Sequence, residues 1–119
     1  MSGDPLELSL LFDFFGDLLT ETQREYFDLY YNDDMSLAEV AELKGVSRPA
    51  VLDAVKKAKS YMQNFEEKTG VVKRFTEMRS GLLSLKKKAE ALAESLPEGG
   101  ERSLALEIVS DIEGLKNGI

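Results

Sequence analysis

From Val71 onward the apolar residues Val71, Phe75, Met78, Leu82, Leu85, Ala89, Leu92 and Leu96 follow one another at alternating spacings of four and three without a slip. Those two steps straddle the 3.6-residue turn of a helix, so they keep one side of it apolar, as in the seam of a coiled coil or bundle. At 1.5 Å per residue the segment would be ~39 Å long. No apolar pattern in the chain long enough to judge alternates with the period of two that a half-buried strand requires. The expected fold class is therefore all-α, with six helices and no sheet.

The other five helices are read from their apolar faces and punctuation. The first covers roughly residues 5–17, with Leu8, Leu11, Phe12, Phe15 and Leu19 on one face and Leu10, Phe14 and Leu18 beside it, a stripe too wide for a simple surface helix. Thr20 with Gln23, and Ser36 with Glu39, each form a capping box that opens a helix, one running to about Asn32 and the next stopping at Gly45. Ser47 caps a fourth helix, whose Pro49 falls in the first turn, where a missing N–H costs nothing. Its seam is Val51, Val55, Ala58, Met62 and Phe65, and Gly70 is its expected stop. After the long seam, Pro97-Glu98-Gly99-Gly100 makes a turn into a last helix with Leu104, Ile108, Ile112 and Leu115.

Composition narrows the chemistry. The 119 residues suit one domain or a small domain with an appendage, and 43% apolar with 31% charged residues supports a packed core under a solvated surface. With no Cys and no His, thiol chemistry, Cys or His zinc sites and histidine relays have no residues to use. There is no phosphate loop, no metal constellation and no Gly-rich strand-to-helix turn, so neither an enzyme nor a cofactor or metal is expected. Asn32-Asp33-Asp34 reads as a solvated turn. The greasiest stretch, residues 6–19, carries Glu7, Asp13 and Asp17, and no basic leader precedes it, so the expected location is the cytoplasm.

Acidic residues outnumber basic ones by 22 to 15, but unevenly: the net charge is -9 over residues 1–45, +7 over 46–89 and -5 over 90–119. The overall deficit opposes indiscriminate nucleic-acid binding. The basic middle is expected chiefly to neutralise its acidic flanks on folding, with a nucleic acid or an acidic protein as the other possible counterpart. Seven of the ten aromatics lie between Phe12 and Tyr31. They would form the core joining the first two helices to the helix-turn-helix, or else a stacking surface for RNA bases or a protein groove. Lys86-Lys87-Lys88 reads as a solvated face partly paired with the acidic last helix, against the alternative of contacts to RNA phosphate or anionic lipid.

Residues 37–56 fit a helix-turn-helix. The motif needs a small residue at its fifth position, Gly at the ninth and apolar residues at the fourth, tenth, fifteenth and eighteenth, here Ala41, Gly45, Val40, Val46, Val51 and Ala54. The usually apolar eighth position is Lys44. On the second helix Ser47, Arg48, Pro49, Leu52, Asp53 and Lys56 would face a groove. Arg48 would read guanine, and Ser47 and Lys56 would hold phosphates. Pro49 and Leu52 offer no hydrogen bond and Asp53 repels the backbone, so the face is poor for readout. Leu52 suits a protein contact, or else packs against the first helix. The candidate binding residues are Ser47, Arg48, Leu52, Lys56, Lys57 and Lys59.

Parallel self-pairing of the long helix would oppose Arg74, Arg79, Lys86 and Lys88 to their own copies. The last helix, with Glu101, Glu107, Asp111 and Glu113, offers the opposite sign, so an antiparallel hairpin closed at Gly99-Gly100 is expected. That hairpin keeps a face for a second chain or a partner, and Phe75, Met78, Leu82, Leu85 and Leu92 are the candidate oligomer seam. The expected division is a helix-turn-helix domain over 1–70 and a hairpin extension over 71–119.

LTETQREYFDLYY followed by SLAEVAELKGVSRPAVLDAVKKAKSYM resembles the fourth region of bacterial sigma-70-type factors, which recognises promoter DNA. A closer resemblance is to the YlxM family, also called p13-like or UPF0122, carried by LLFDFFGDLLTETQ at 10–23, FDLYYNDDMSLAEVAE at 27–42 and GVSRPAV at 45–51. That resemblance implies an all-helical, sigma-region-4-like, dimeric, cytoplasmic protein acting with the bacterial signal recognition particle. It would bind the targeting GTPase, that GTPase's receptor or the particle's RNA. The alternative reading is a dimeric DNA-binding regulator, and a third is a scaffold whose hairpin recruits another helix. A stand-alone sigma factor is not expected, because no chain remains for its other regions.

Overall fold

The structure is a computed structural model and describes residues 5–118. Among these there are six α-helices and no strand: α1 Pro5–Phe15, α2 Glu21–Phe27, α3 Leu37–Lys44, α4 Arg48–Thr69, α5 Val71–Ser95 and α6 Gly100–Asn117. The chain is all-α, and it divides into two compact units, one up to Val72 and one from Lys73 onward.

The punctuation of the first unit follows from its side chains. Thr20 Oγ1 accepts the Gln23 N–H at 3.2 Å while Gln23 Oε1 accepts the Thr20 N–H at 3.2 Å. Ser36 and Glu39 repeat the exchange at 3.0 and 3.1 Å, and those hydrogen bonds hold the Glu39 carboxyl below the usual carboxylate range. Gly45 and Gly70 end α3 and α4 at φ of 67° and 62°, a left-handed conformation that costs a glycine little. A single residue, Gly70, separates α4 from α5. The Glu66 carboxylate reaches across it to accept the Val72 N–H at 2.9 Å, capping the new helix.

Two segments depart from regular α-helix. The first helix, expected to reach Asp17, tightens into a 3-10 turn over Gly16–Leu18. Gly16 is buried, and a Cβ there would lie 3.3 Å from the Phe12 ring, a tight contact that would require the ring to shift by a few tenths of an ångström. The second helix, expected to be uniform to Asn32, widens into a π-helical turn over Asp28–Asn32. In that turn Tyr31 closes on Phe27 with ring centroids 4.6 Å apart, and Tyr30 meets Tyr31 edge-on at 5.0 Å. Burial, with Tyr30 beside it, raises the Tyr31 phenol above its ordinary pKa. The Asn32-Asp33-Asp34 run that follows is exposed, with Asp34 at φ 54°, a conformation Asp tolerates in turns.

One core unites the four α-helices of this unit. Leu8 and Leu11 of α1, Phe27 of α2, Val40 of α3, and Val51 and Met62 of α4 are its largest fully buried side chains. Each aliphatic member contributes about 1.5–3 kcal/mol by leaving water. Phe12 stacks on Phe27 at 5.2 Å and Phe15 meets Phe65 at 5.8 Å. The aromatic cluster is thus mainly core: Phe15 and Phe27 are buried, and Phe12, Tyr26, Tyr30 and Tyr31 pack against it. Val72, from the first turn of α5, is also buried in it.

In the second unit α5 and α6 form an antiparallel hairpin. Glu113 of α6 bridges Lys86 of α5, Nζ–Oε2 2.7 Å, and Lys116 of its own helix, 3.3 Å. Bonding to Lys86, then to Lys116, holds the Glu113 carboxyl below its ordinary range, and the Glu113 bond raises the Lys86 ammonium above its own. The buried residues, Ala93, Ala105 and Ile112, are few and mostly small. Such small side chains bury little area.

Candidate functional site

The helix-turn-helix is α3, the turn at Gly45-Val46-Ser47, and α4. Ala41, 6% exposed, lies between the helices, and its carbonyl accepts the Val46 N–H at 3.0 Å, fixing the turn. Val40, Val51 and Ala54 are buried as the motif requires. Val46 is not: it is 37% exposed and, with Leu43 at 60%, adds apolar surface beside the turn. Val46 is thus less covered than Val40, Val51 and Ala54, and its backbone N–H adds the hydrogen bond that fixes the turn. The unusual Lys44 pairs with Glu25 of α2, tying α3 to the preceding helix by charge where other such motifs use an apolar contact.

The candidate binding residues have unequal freedom. Ser47 Oγ accepts the Ala50 N–H at 3.2 Å as the cap of α4, which leaves its own O–H to donate outward. Arg48 and Lys56 are exposed, Leu52 and Lys59 half-buried. These four recur at spacings of four, four and three and share one side of α4. Among the described residues no ion pair within the chain engages Arg48, Lys56 or Lys59. Lys57 is different: its Nζ lies 3.1 Å from Asp53 Oδ2, so the one acid on the outer face is matched by a base one turn away. Leu52, read from the sequence as exposed or packed, is partly both.

This edge of three cations and a leucine sits on an acidic body. Residues 1–72 hold 14 acidic and 7 basic side chains. On the same unit, the open groove lined by Asp17, Leu19, Glu21, Arg24, Glu25 and Asp28 is acid-rich. No group of three or more acidic residues placed to hold a metal occurs among the described residues. The exposure of Leu43 and Val46 was not legible from the motif pattern, which treats the tenth position as core. For Lys44, the sign of the residue at an apolar position was the available signal.

The candidate seam on α5 divides. Phe75 and Leu82 are half-buried, whereas Met78, Leu85 and Leu92 are 52–53% exposed. Of the three lysines, Lys86 turns to Glu113 and Lys87 and Lys88 are exposed.

A glycine-turned helix pair with a small residue at the crossing and a long capped second helix defines a helix-turn-helix protein. The chain belongs to the UPF0122 family, helix-turn-helix protein, YlxM / p13 like, whose pattern it matches over residues 4–98. Among its relatives, a UPF0122 protein of Thermoanaerobacter sp. (strain X514) is 43% identical over 115 residues, covering 97% of this chain and 98% of the relative. A UPF0122 protein of Halalkalibacterium halodurans is 45% identical over 89 residues, 75% of this chain and 81% of the relative. Another, of Caldanaerobacter subterraneus subsp. tengcongensis, is 44% identical over 86 residues, 72% and 74%. Among the described residues no helix is long and apolar enough to cross a membrane.

Proposed function

We propose that this protein is a non-enzymatic, cytoplasmic accessory of the signal recognition particle pathway that works as a homodimer. Its helix-turn-helix binds the targeting GTPase, that GTPase's receptor or the particle's RNA. The pathway comes from the family resemblance. What supports a macromolecular contact of this kind is the side of α4 carrying Arg48, Leu52, Lys56 and Lys59, together with the exposed Leu43 of α3 and Val46 of the turn. Apolar residues interspersed with a few cations match a protein surface better than a duplex, where leucine finds no partner and the fourteen acids of residues 1–72 add repulsion.

A DNA-binding regulator is the second reading, favoured by one observation: the capped N-terminus of α4 presents Ser47 and unpaired Arg48 where a recognition helix meets base edges. Two substitutions separate the readings. If a protein is bound, Leu52→Asp weakens binding more than Arg48→Ala, and the affinity changes little with salt. If DNA is bound, affinity falls by orders of magnitude between ~50 and 200 mM salt and Arg48→Ala relaxes sequence preference. Equal and small effects of both substitutions would remove the helix-turn-helix from binding altogether.

A further inference from the structure

The hairpin has a face the monomer does not cover. Met78, Leu85 and Leu92 recur every seven residues along α5, and Leu104, Ile108 and Leu115 line α6; all six are between 41% and 61% exposed. The Lys86–Glu113 bond sets the register of the two helices. In that register Leu92 lies level with Ile108 and Leu85 with Leu115. In helical projection both stripes lie to the same side of the α5–α6 contact, because the two helices run in opposite directions and each stripe falls roughly 60–100° from its own inward-facing residues. Together they expose on the order of 500 Å² of apolar side chain. Two copies facing one another would cover on the order of 1,000 Å², the scale at which specific interfaces begin.

The charges beside this face choose its occupant. Just beyond the α5 stripe stands Lys88, and just beyond the α6 stripe, at the same level of the register, stands Asp111. Both are exposed, and among the described residues neither has an ion pair within the chain, although the neighbouring Lys86 and Glu113 do. One edge of the face is thus basic and the other acidic. A second hairpin can be laid on it in two symmetric ways. With the turns at opposite ends, α5 lies on α5 and α6 on α6, and each edge meets its own sign. With the turns at the same end, each α5 lies on the partner's α6, every neighbour in the four-helix bundle is antiparallel, and Lys88 of each copy stands opposite the partner's Asp111. Like charges oppose in the first and unlike charges pair in the second.

We infer that the hairpin face is the surface on which a second copy of this chain docks, turns at the same end, with reciprocal Lys88–Asp111 pairs flanking a core of Met78, Leu85, Leu92, Leu104, Ile108 and Leu115. This rests on the homodimer proposed above and adds its geometry. It also places the N-terminal ends of both α5 helices at one end of the bundle.

The full-length chain tests this without any ligand. Sedimentation equilibrium gives a dimer, and Leu85→Asp with Leu92→Asp gives a monomer of unchanged helicity, because both positions are at the surface of the single chain. Lys88→Glu raises the dimer dissociation constant about tenfold, since two pairs become two repulsions. Adding Asp111→Lys returns it to within about twofold of the original. Because the chain has no cysteine, Lys88→Cys with Asp111→Cys yields a covalent dimer under mild oxidation, and Lys88→Cys alone does not. A monomeric parent protein at ~100 μM, far above the working range of a specific interface, overturns both the dimer and its geometry. A dimer in which the charge swap fails to rescue, or in which Lys88→Cys alone cross-links, overturns the same-end arrangement and leaves the homodimer standing.

Discussion

The two units of this protein handle the same helical patterning in opposite ways. In residues 5–72 the wide stripe of α1, the seam of α4 and the aromatic run of α2 close on one another, so that Phe27, Val40, Val51 and Met62 are fully buried. In the hairpin the longest and most regular seam of the chain leaves Phe75, Leu82 and Leu96 half-buried and Met78, Leu85 and Leu92 exposed, and the fully buried residues are Ala93 beside the seam and Ala105 and Ile112 of α6. Patterning creates a face; it does not supply the layer that covers it. Three-dimensional closure needs helices crossing from several directions, which the first unit has and a two-helix hairpin lacks.

That contrast makes ordered predictions. Phe27→Ala, at the centre of the closed core, should cost the first unit about 3–5 kcal/mol in denaturant unfolding, whereas Leu92→Ala, measured at concentrations where the chain is monomeric, should cost well under about 1 kcal/mol. A Leu92→Ala loss as large as that of Phe27→Ala would erase the distinction. Ala41→Leu, which overfills the α3–α4 crossing, should cost about 1–3 kcal/mol and blur the helix-turn-helix geometry seen by NMR. Ser36→Ala, which removes one half of a capping box, should cost about 1 kcal/mol and act on the first unit alone.

The smallest effect concerns pH and the hairpin. Glu113 has a folded pKa below its ordinary value, so its contribution is complete above the ordinary glutamate range and is lost as pH falls through the depressed value. Lys86, raised, contributes fully below the ordinary lysine range and loses that contribution only as pH rises through its folded value. Amide exchange along α6 should therefore quicken on acidification below the carboxylate range, and Glu113→Gln should remove most of that dependence. Acid sensitivity that is unchanged in Glu113→Gln would place the responsible group elsewhere.

Local chemistry explains what was readable from the sequence. Thr20, Ser36, Ser47, Gly45 and Gly70 act within four residues of themselves, and the boundaries they mark are those of the structure. The 3-10 turn after Phe15, where Gly16 meets the Phe12 ring, and the π-helical turn at Asp28–Asn32, where Tyr31 packs on Phe27, involve residues four apart, a spacing that a regular α-helix also brings together, so the sequence pattern does not announce either departure. The candidate binding face was legible as positions on α4. Which of its charges are free was not, because that depends on Asp53 turning to Lys57 while Arg48, Lys56 and Lys59 find no partner. Val46 shows the limit from the other side: a motif position expected to be core is 37% exposed beside the face it was meant to support.

On the function proposed above, the first unit carries the contact and the hairpin carries the assembly. The direct measurement is titration of the purified full-length protein and its Leu52→Asp and Leu85→Asp/Leu92→Asp variants against the purified targeting GTPase and its receptor, with and without the particle's RNA, at physiological salt. The expected result is saturable binding that is lost in Leu52→Asp and retained, with single-copy stoichiometry, in the hairpin variant. No binding to any of these components, together with tight, steeply salt-dependent binding to a DNA duplex, would contradict it and leave the regulator reading in its place.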